Sequence, residues 1–135
     1  MPHLSKLELD KSTEIELLAS LETALVKINK TGEMNTFLFS LLSHTERLML
    51  GKRLGIVLLL QQGIEETVIA KILHVTRQTV YRIKHSSQYK NSGYKIALKA
   101  IKNEKKAHEL KDALLRLARY SVRAAGGRVK TNIFD

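Results

Sequence analysis

The segment from Glu65 to His85, EETVIAKILHVTRQTVYRIKH, constrains the fold more tightly than any other part of the chain. Val68, Ile69, Ile72 and Leu73 recur at helical spacing and define one buried stripe. After Val75, only Val80 and Ile83 continue the apolar pattern, so a second helix has a narrow buried edge and a wide polar face. The two helices must meet at a tight corner around His74, where a left-handed backbone is favoured. Glycine often fills such a corner, but histidine tolerates it better than a β-branched residue would. Ala70 supplies a small side chain where the helices approach closely. Thr76 stands where a hydroxyl can cap the second helix near Gln78 or Thr79. This is the helix-turn-helix pattern.

The polar face of the second helix points to a partner. Arg77, Gln78, Tyr81, Arg82 and His85 project outward, with Thr76, Thr79 and Lys84 beside them. Arginine pairs bidentately with guanine, glutamine pairs with adenine, and threonine or tyrosine bonds phosphate, so this surface suits a DNA major groove. Two core helices of an ordinary bundle would share the apolar spacing. The cap and the polar face favour the DNA-reading interpretation.

The charge distribution agrees with it. The chain carries a net charge of +10. From Arg77 onward there are 15 Lys and Arg against 4 Asp and Glu, a surplus of 11, whereas residues 1–76 hold 8 against 9. The positive potential therefore belongs to the second helix of the motif and to everything after it, as expected for a polyanion partner. The absence of Cys excludes disulfides, thiolate catalysis and thiolate metal sites. The most apolar run, Leu48 to Leu60, is broken by Gly51, Lys52, Arg53 and Gly55, so no membrane partner is expected. The N-terminal residues MPHLSKLELDKSTE lack a secretory apolar core, which leads us to expect a cytoplasmic, nucleoid-associated protein.

The remainder reads as helix throughout, so the expected class is an all-α helical bundle. A first helix is expected after Asp10 or Ser12, running to about Lys30 and stopped by Thr31-Gly32, with a stripe through Ile15, Leu18, Leu25, Val26 and Ile28. A second covers about Glu33 to Leu42. A third starts at Ser43, with Glu46 completing a capping box, and ends at Gly63. Apolar residues surround much of it, so burial on several sides is expected. After the polar break SSQYKNSG, one long basic helix is expected from Tyr94 to Ala125, with a stripe of Ile101, Leu110, Leu114 and Leu117 and a stop at Gly126-Gly127. The tail RVKTNIFD is expected to be flexible.

From Leu41 to Ser87 the chain resembles the Trp repressor superfamily and its tryptophan-independent relatives. The resemblance rests on Leu41, Leu42 and Ser43; on Glu46 and Arg47; on the Leu-Gly-x-Arg element Leu50, Gly51 and Arg53; on Gly63; and on Thr79 with Arg82. It implies a homodimer interlocked through its N-terminal helices, reading a near-palindrome with recognition helices about one DNA turn, ~34 Å, apart. It also implies a division at residue 87: residues 1–87 for dimerisation and the helix-turn-helix, and 88–135 as a basic helical extension. In tryptophan-sensing members two arginines sandwich the indole. Arg53 and Arg82 match these, and Ser43 matches a threonine that holds the ligand. A glycine follows the second arginine in those members, but here Ile83 stands there and fills the ligand's space. We therefore expect no tryptophan-type corepressor and a tryptophan-independent member.

No feature suggests an enzyme. Among His3, His44, His74, His85 and His108 there is no His-x-x-x-His pair, and Glu104, His108 and Asp112 read as solvent-face neighbours in a Lys-rich helix rather than metal ligands. No Gly-rich phosphate loop is present. Two functions fit: a sequence-specific DNA-binding transcriptional regulator, with Lys84, Lys90 and the basic helix on the phosphate backbone; or a structural or transposase-type nucleic-acid binder without strict sequence preference, for which RNA is an alternative polyanion. The basic helix motivates the second reading. Docking of a protein through Leu110, Leu114 and Leu117 is a further use for that helix.

Overall fold

The structure, a computed structural model, describes residues 7–86 and 92–124. The tail, the Gly126-Gly127 stop, His3, Lys90 and most of the polar break lie outside the described residues. The described residues form seven helices and no strand: α1 (Lys11–Lys27), α2 (Thr31–Leu41), α3 (His44–Gln61), α4 (Glu66–Leu73), α5 (Arg77–His85), α6 (Ser92–Ile101) and α7 (Lys105–Ala124). They belong to two compact units, residues 1–47 and 48–135.

In the first unit the helix ends follow from local chemistry. Asp10 caps α1, its Oδ2 accepting the Thr13 N–H at 3.3 Å. Hydrogen bonds from the Thr13 side chain and backbone hold that carboxyl below the usual carboxylate range. The helix closes at Ile28, whose N–H bonds the Ala24 carbonyl at 3.1 Å. The chain passes through extended residues at Ile28 and Lys30, so Thr31-Gly32 opens α2 rather than ending α1 as the sequence had suggested. Neither α1 nor α2 buries a residue. Ser43 and Glu46 form the expected capping box of α3: the Ser43 N–H donates to Glu46 Oε2 at 2.7 Å, and Ser43 Oγ accepts the Glu46 N–H at 3.2 Å. These bonds, the backbone one foremost, hold the Glu46 carboxyl low.

In the second unit, a single cluster joins four helices. It contains Ile56, Leu58 and Leu59 of α3, Ile69 of α4, Val80 of α5, and Leu114, Leu115 and Ala118 of α7, with Ile64 from the turn before α4. The all-round burial expected of α3 is confined to Gly55–Leu59, while Leu48, Met49 and Leu50 are exposed. The turn after α3 is a Schellman motif. Gly63 adopts φ 74°, its N–H bonds the Leu60 carbonyl at 3.1 Å, and the Ile64 N–H reaches back to Leu59 at 3.2 Å. This folds Ile64 onto Leu59 in the core.

Helix α4 packs against both α5 and α7. The C-terminal helices therefore sit in the same compact unit as the helix-turn-helix, which differs from the division expected at residue 87. The reason is Leu114, Leu115 and Ala118, which share the core of Ile69 and Val80. The expected single helix over 94–125 is in fact two. The backbone tightens at Lys102, whose N–H bonds Lys99 at 3.3 Å, and restarts where the Ala107 and His108 N–H groups bond Glu104 at 3.1 Å. The buried edge of α7 is also rotated from the expected stripe: Leu114 is buried, but Leu110 and Leu117 face outward.

Two expectations follow for stability. Ile69 is fully buried at the centre of the cluster, so Ile69→Ala is expected to cost about 2–5 kcal/mol in urea unfolding. His74 adopts φ 50°, ψ 54°, a region that penalises a Cβ by about 1–2 kcal/mol. His74→Gly is expected to raise the urea midpoint; a lowered midpoint would show that the side chain holds the corner.

Candidate nucleic-acid interface

The corner between α4 and α5 has the geometry that the sequence demanded of His74. Its backbone is left-handed, its N–H bonds the Ala70 carbonyl, and the Val75 N–H reaches the same carbonyl at 3.0 Å. Lys52 of α3 donates its Nζ proton to the His74 carbonyl at 3.2 Å, tying the corner to the longer helix. Thr76 then opens α5. Its Oγ1 accepts the Thr79 N–H at 3.1 Å and lies 2.8 Å from Thr79 Oγ1. Both hydroxyls thus take part in the cap.

From that start, α5 divides into two faces. Val80 has 0% of its surface exposed and Ile83 is half-buried against the core. Arg77, Gln78, Thr79, Tyr81, Arg82, Lys84 and His85 are exposed. Arg77, Gln78 and Arg82 make no hydrogen bond or ion pair shorter than the usual limits with the described residues. Tyr81 is 53% exposed and stacks on His85, with ring centroids 4.2 Å apart and planes inclined by 35°. This i,i+4 pair makes a rigid aromatic ridge on the outer face. The helix therefore presents two guanidinium groups, one carboxamide and an aromatic ridge on one surface, held from beneath by Val80 and Ile83.

Lys84 differs from its neighbours. Its Nζ lies 3.0 Å from Glu66 Oε1 on α4, across the helix pair. A lysine read from sequence as a backbone contact thus also clamps α4 to α5. The spacing of 18 residues hides this pairing, since it depends on the angle between the helices. The Tyr81–His85 contact, by contrast, follows from spacing alone.

Ser43, Arg53 and Arg82 are the residues implied as a ligand pocket. Ser43 is occupied in the α3 capping box. Arg53 is exposed on α3, and Arg82 is exposed on α5. Ile83 packs against the core cluster, as expected if it takes up space beside Arg82. Among the described residues, no cluster of His, Asp or Glu could hold a metal ion.

An all-α protein whose exposed, basic second motif helix is braced by a helix bundle is a helix-turn-helix protein by fold and surface. A family model described as Trp repressor protein matches residues 16–102, more than half of the chain, and the chain belongs to that family. Comparison with curated proteins and with solved structures finds no match. The family is one of helical DNA-binding regulators. No helix of the described residues is long and apolar enough to cross a membrane.

The cap sets the start of α5, so Thr76→Ala is expected to lower stability by about 1 kcal/mol, read by thermal unfolding. Thr76→Ser should restore most of it. If both variants melt like the wild type, the hydroxyl does not hold the helix.

Proposed function

We propose that the protein is a sequence-specific DNA-binding transcriptional regulator that acts as a homodimer and needs no tryptophan-type corepressor. The observation that carries this reading is α5: every polar side chain on its outer face is exposed while Val80 beneath them is sealed. Gln78 and Arg82 then read base edges, Arg77 and the Tyr81–His85 ridge flank them, and Lys105 and Lys106 of α7 add phosphate contacts. Ile83, seated in the core, supports independence from a ligand beside Arg82. Chemistry on a bound substrate is no part of this function.

The dimer is supported by what the first unit leaves uncovered. Ile15, Leu18, Val26 and Phe39 expose more than half of their surfaces. A monomer does not ordinarily leave so continuous an apolar face to water. Arg47 stacks over the Phe39 ring at 4.3 Å, yet its buried Nε has no hydrogen-bond partner among the described residues. On α3, Gly51 has no atom within 4 Å of a Cβ position, and Leu48, Met49 and Leu50 around it are exposed. A second copy would cover these faces.

Selection of random oligonucleotides by the purified chain at physiological salt tests the reading, with and without tryptophan. A near-palindromic motif is expected, with half-sites about one turn apart, and the same motif in both conditions. Gln78→Ala should lose preference at one position at a cost of about 1–3 kcal/mol. No enriched motif, with RNA competing as well as duplex, would replace this reading with a sequence-independent binder. Sedimentation should give twice the 15.3 kDa of one chain. Val26 is 78% exposed in one protomer, so Val26→Asp is harmless to a monomer but should dissociate a dimer.

A further inference from the structure

The second unit holds a cleft of about 540 Å³ between the end of α3, α6 and α7. Leu58 of α3, Leu98 and Ile101 of α6 and Ala107 of α7 give it an aliphatic patch, beside Gln61, Gln62 and His108. Its rim carries Lys95, Lys99, Lys102 and Lys111. None of the described residues lining it is a carboxylate. Ser43, Arg53 and Arg82 do not line it, and neither does the outer face of α5.

Two features set this cleft apart from a solvated basic surface. Lys95 and Lys99 stand four apart on α6 and Lys102 follows in the turn after it, which sets like charges close together around the cleft. Such charges are commonly offset by acidic neighbours, but none of the described residues lining the cleft is acidic, and Glu109 of α7 lies 3.9 Å from Lys105. The second feature is shape. A duplex backbone would meet the ammonium groups but leave the aliphatic patch wet, whereas a ligand with an apolar ring system and a chain of anions would cover both. Cavities of this size with apolar walls and a few convergent polar groups are typical of small-molecule sites. Lysine stems lie along apolar surface while their heads reach outward, and as compact cations they suit phosphoryl oxygens.

We propose that this cleft binds a nucleoside polyphosphate, the base resting on Leu58, Leu98 and Ile101 and the phosphates held by Lys95, Lys99, Lys102 and Lys111. The site is independent of the DNA-reading surface.

Isothermal titration of the full-length chain with ATP and with GTP, without divalent cations, tests it; adenosine and pyrophosphate serve as part-ligands. One site per chain is expected for at least one nucleotide, with both part-ligands at least tenfold weaker. Lys95→Gln combined with Lys99→Gln, both at exposed positions, should weaken binding at least tenfold with an unchanged melting temperature. Arg77→Ala should leave it intact. Several results would overturn the proposal: no binding of either nucleotide, pyrophosphate binding as tightly as the nucleotide, no effect of the lysine variant, or stoichiometric displacement of the nucleotide by duplex DNA. The last would make the cleft a seat for DNA backbone. None of these results bears on whether α5 reads sequence.

Discussion

The packing of α4 against α5, which buries Ile69 and Val80, orders the rest of the second unit. These two side chains are fully buried where α4 meets α5, in the same cluster as Ile56 and Leu59 of α3 and Leu114 of α7. Burial of apolar surface is non-directional, so it does not by itself fix the rotation of α5. The direction comes from how few apolar residues α5 has. With only Val80 and Ile83 to bury, one rotation satisfies the core, and that rotation turns Arg77, Gln78, Tyr81 and Arg82 outward.

The corner at His74 makes that packing possible. The left-handed residue and the hydrogen bonds to Ala70 and from Lys52 turn the chain from α4 into α5 over a very short connection. The Glu66–Lys84 pair then links the two helices a second time. As a partly exposed pair it contributes little to stability, within about 1 kcal/mol, but it ties α5 to α4 away from the corner. Stiffness of this kind suits a helix that must enter a groove in register.

The two units meet opposite demands. In the second, residues of α3, α4, α5 and α7 bury one another in a core within the chain. In the first, the apolar stripes of α1 and α2 fall where the sequence places them but bury no residue. The stripes were legible, and what they pack against was not, because periodicity reports a face and not its cover. The C-terminal helices were misread for a related reason. A stripe of Leu110, Leu114 and Leu117 is a sound helical pattern, yet contact with α4 selects Leu114, Leu115 and Ala118 instead. Nothing in the sequence after Tyr94 announces that those residues share a core with Ile69.

Local chemistry was enough for much of the molecule. The capping box at Ser43 and Glu46, the stop at Gly63, the left-handed His74, the cap at Thr76 and the two-faced α5 each depend on residues within one or two helical turns, so the sequence alone determined them. The family match over residues 16–102 extends on both sides of the residues from which the resemblance could be read. Contacts that cross between helices were decided only by the tertiary structure: Lys84 with Glu66, Lys52 with the His74 carbonyl, the break between α6 and α7, and the gathering of four lysines around an aliphatic cleft. Each depends on interhelical angles, which a one-dimensional pattern does not encode.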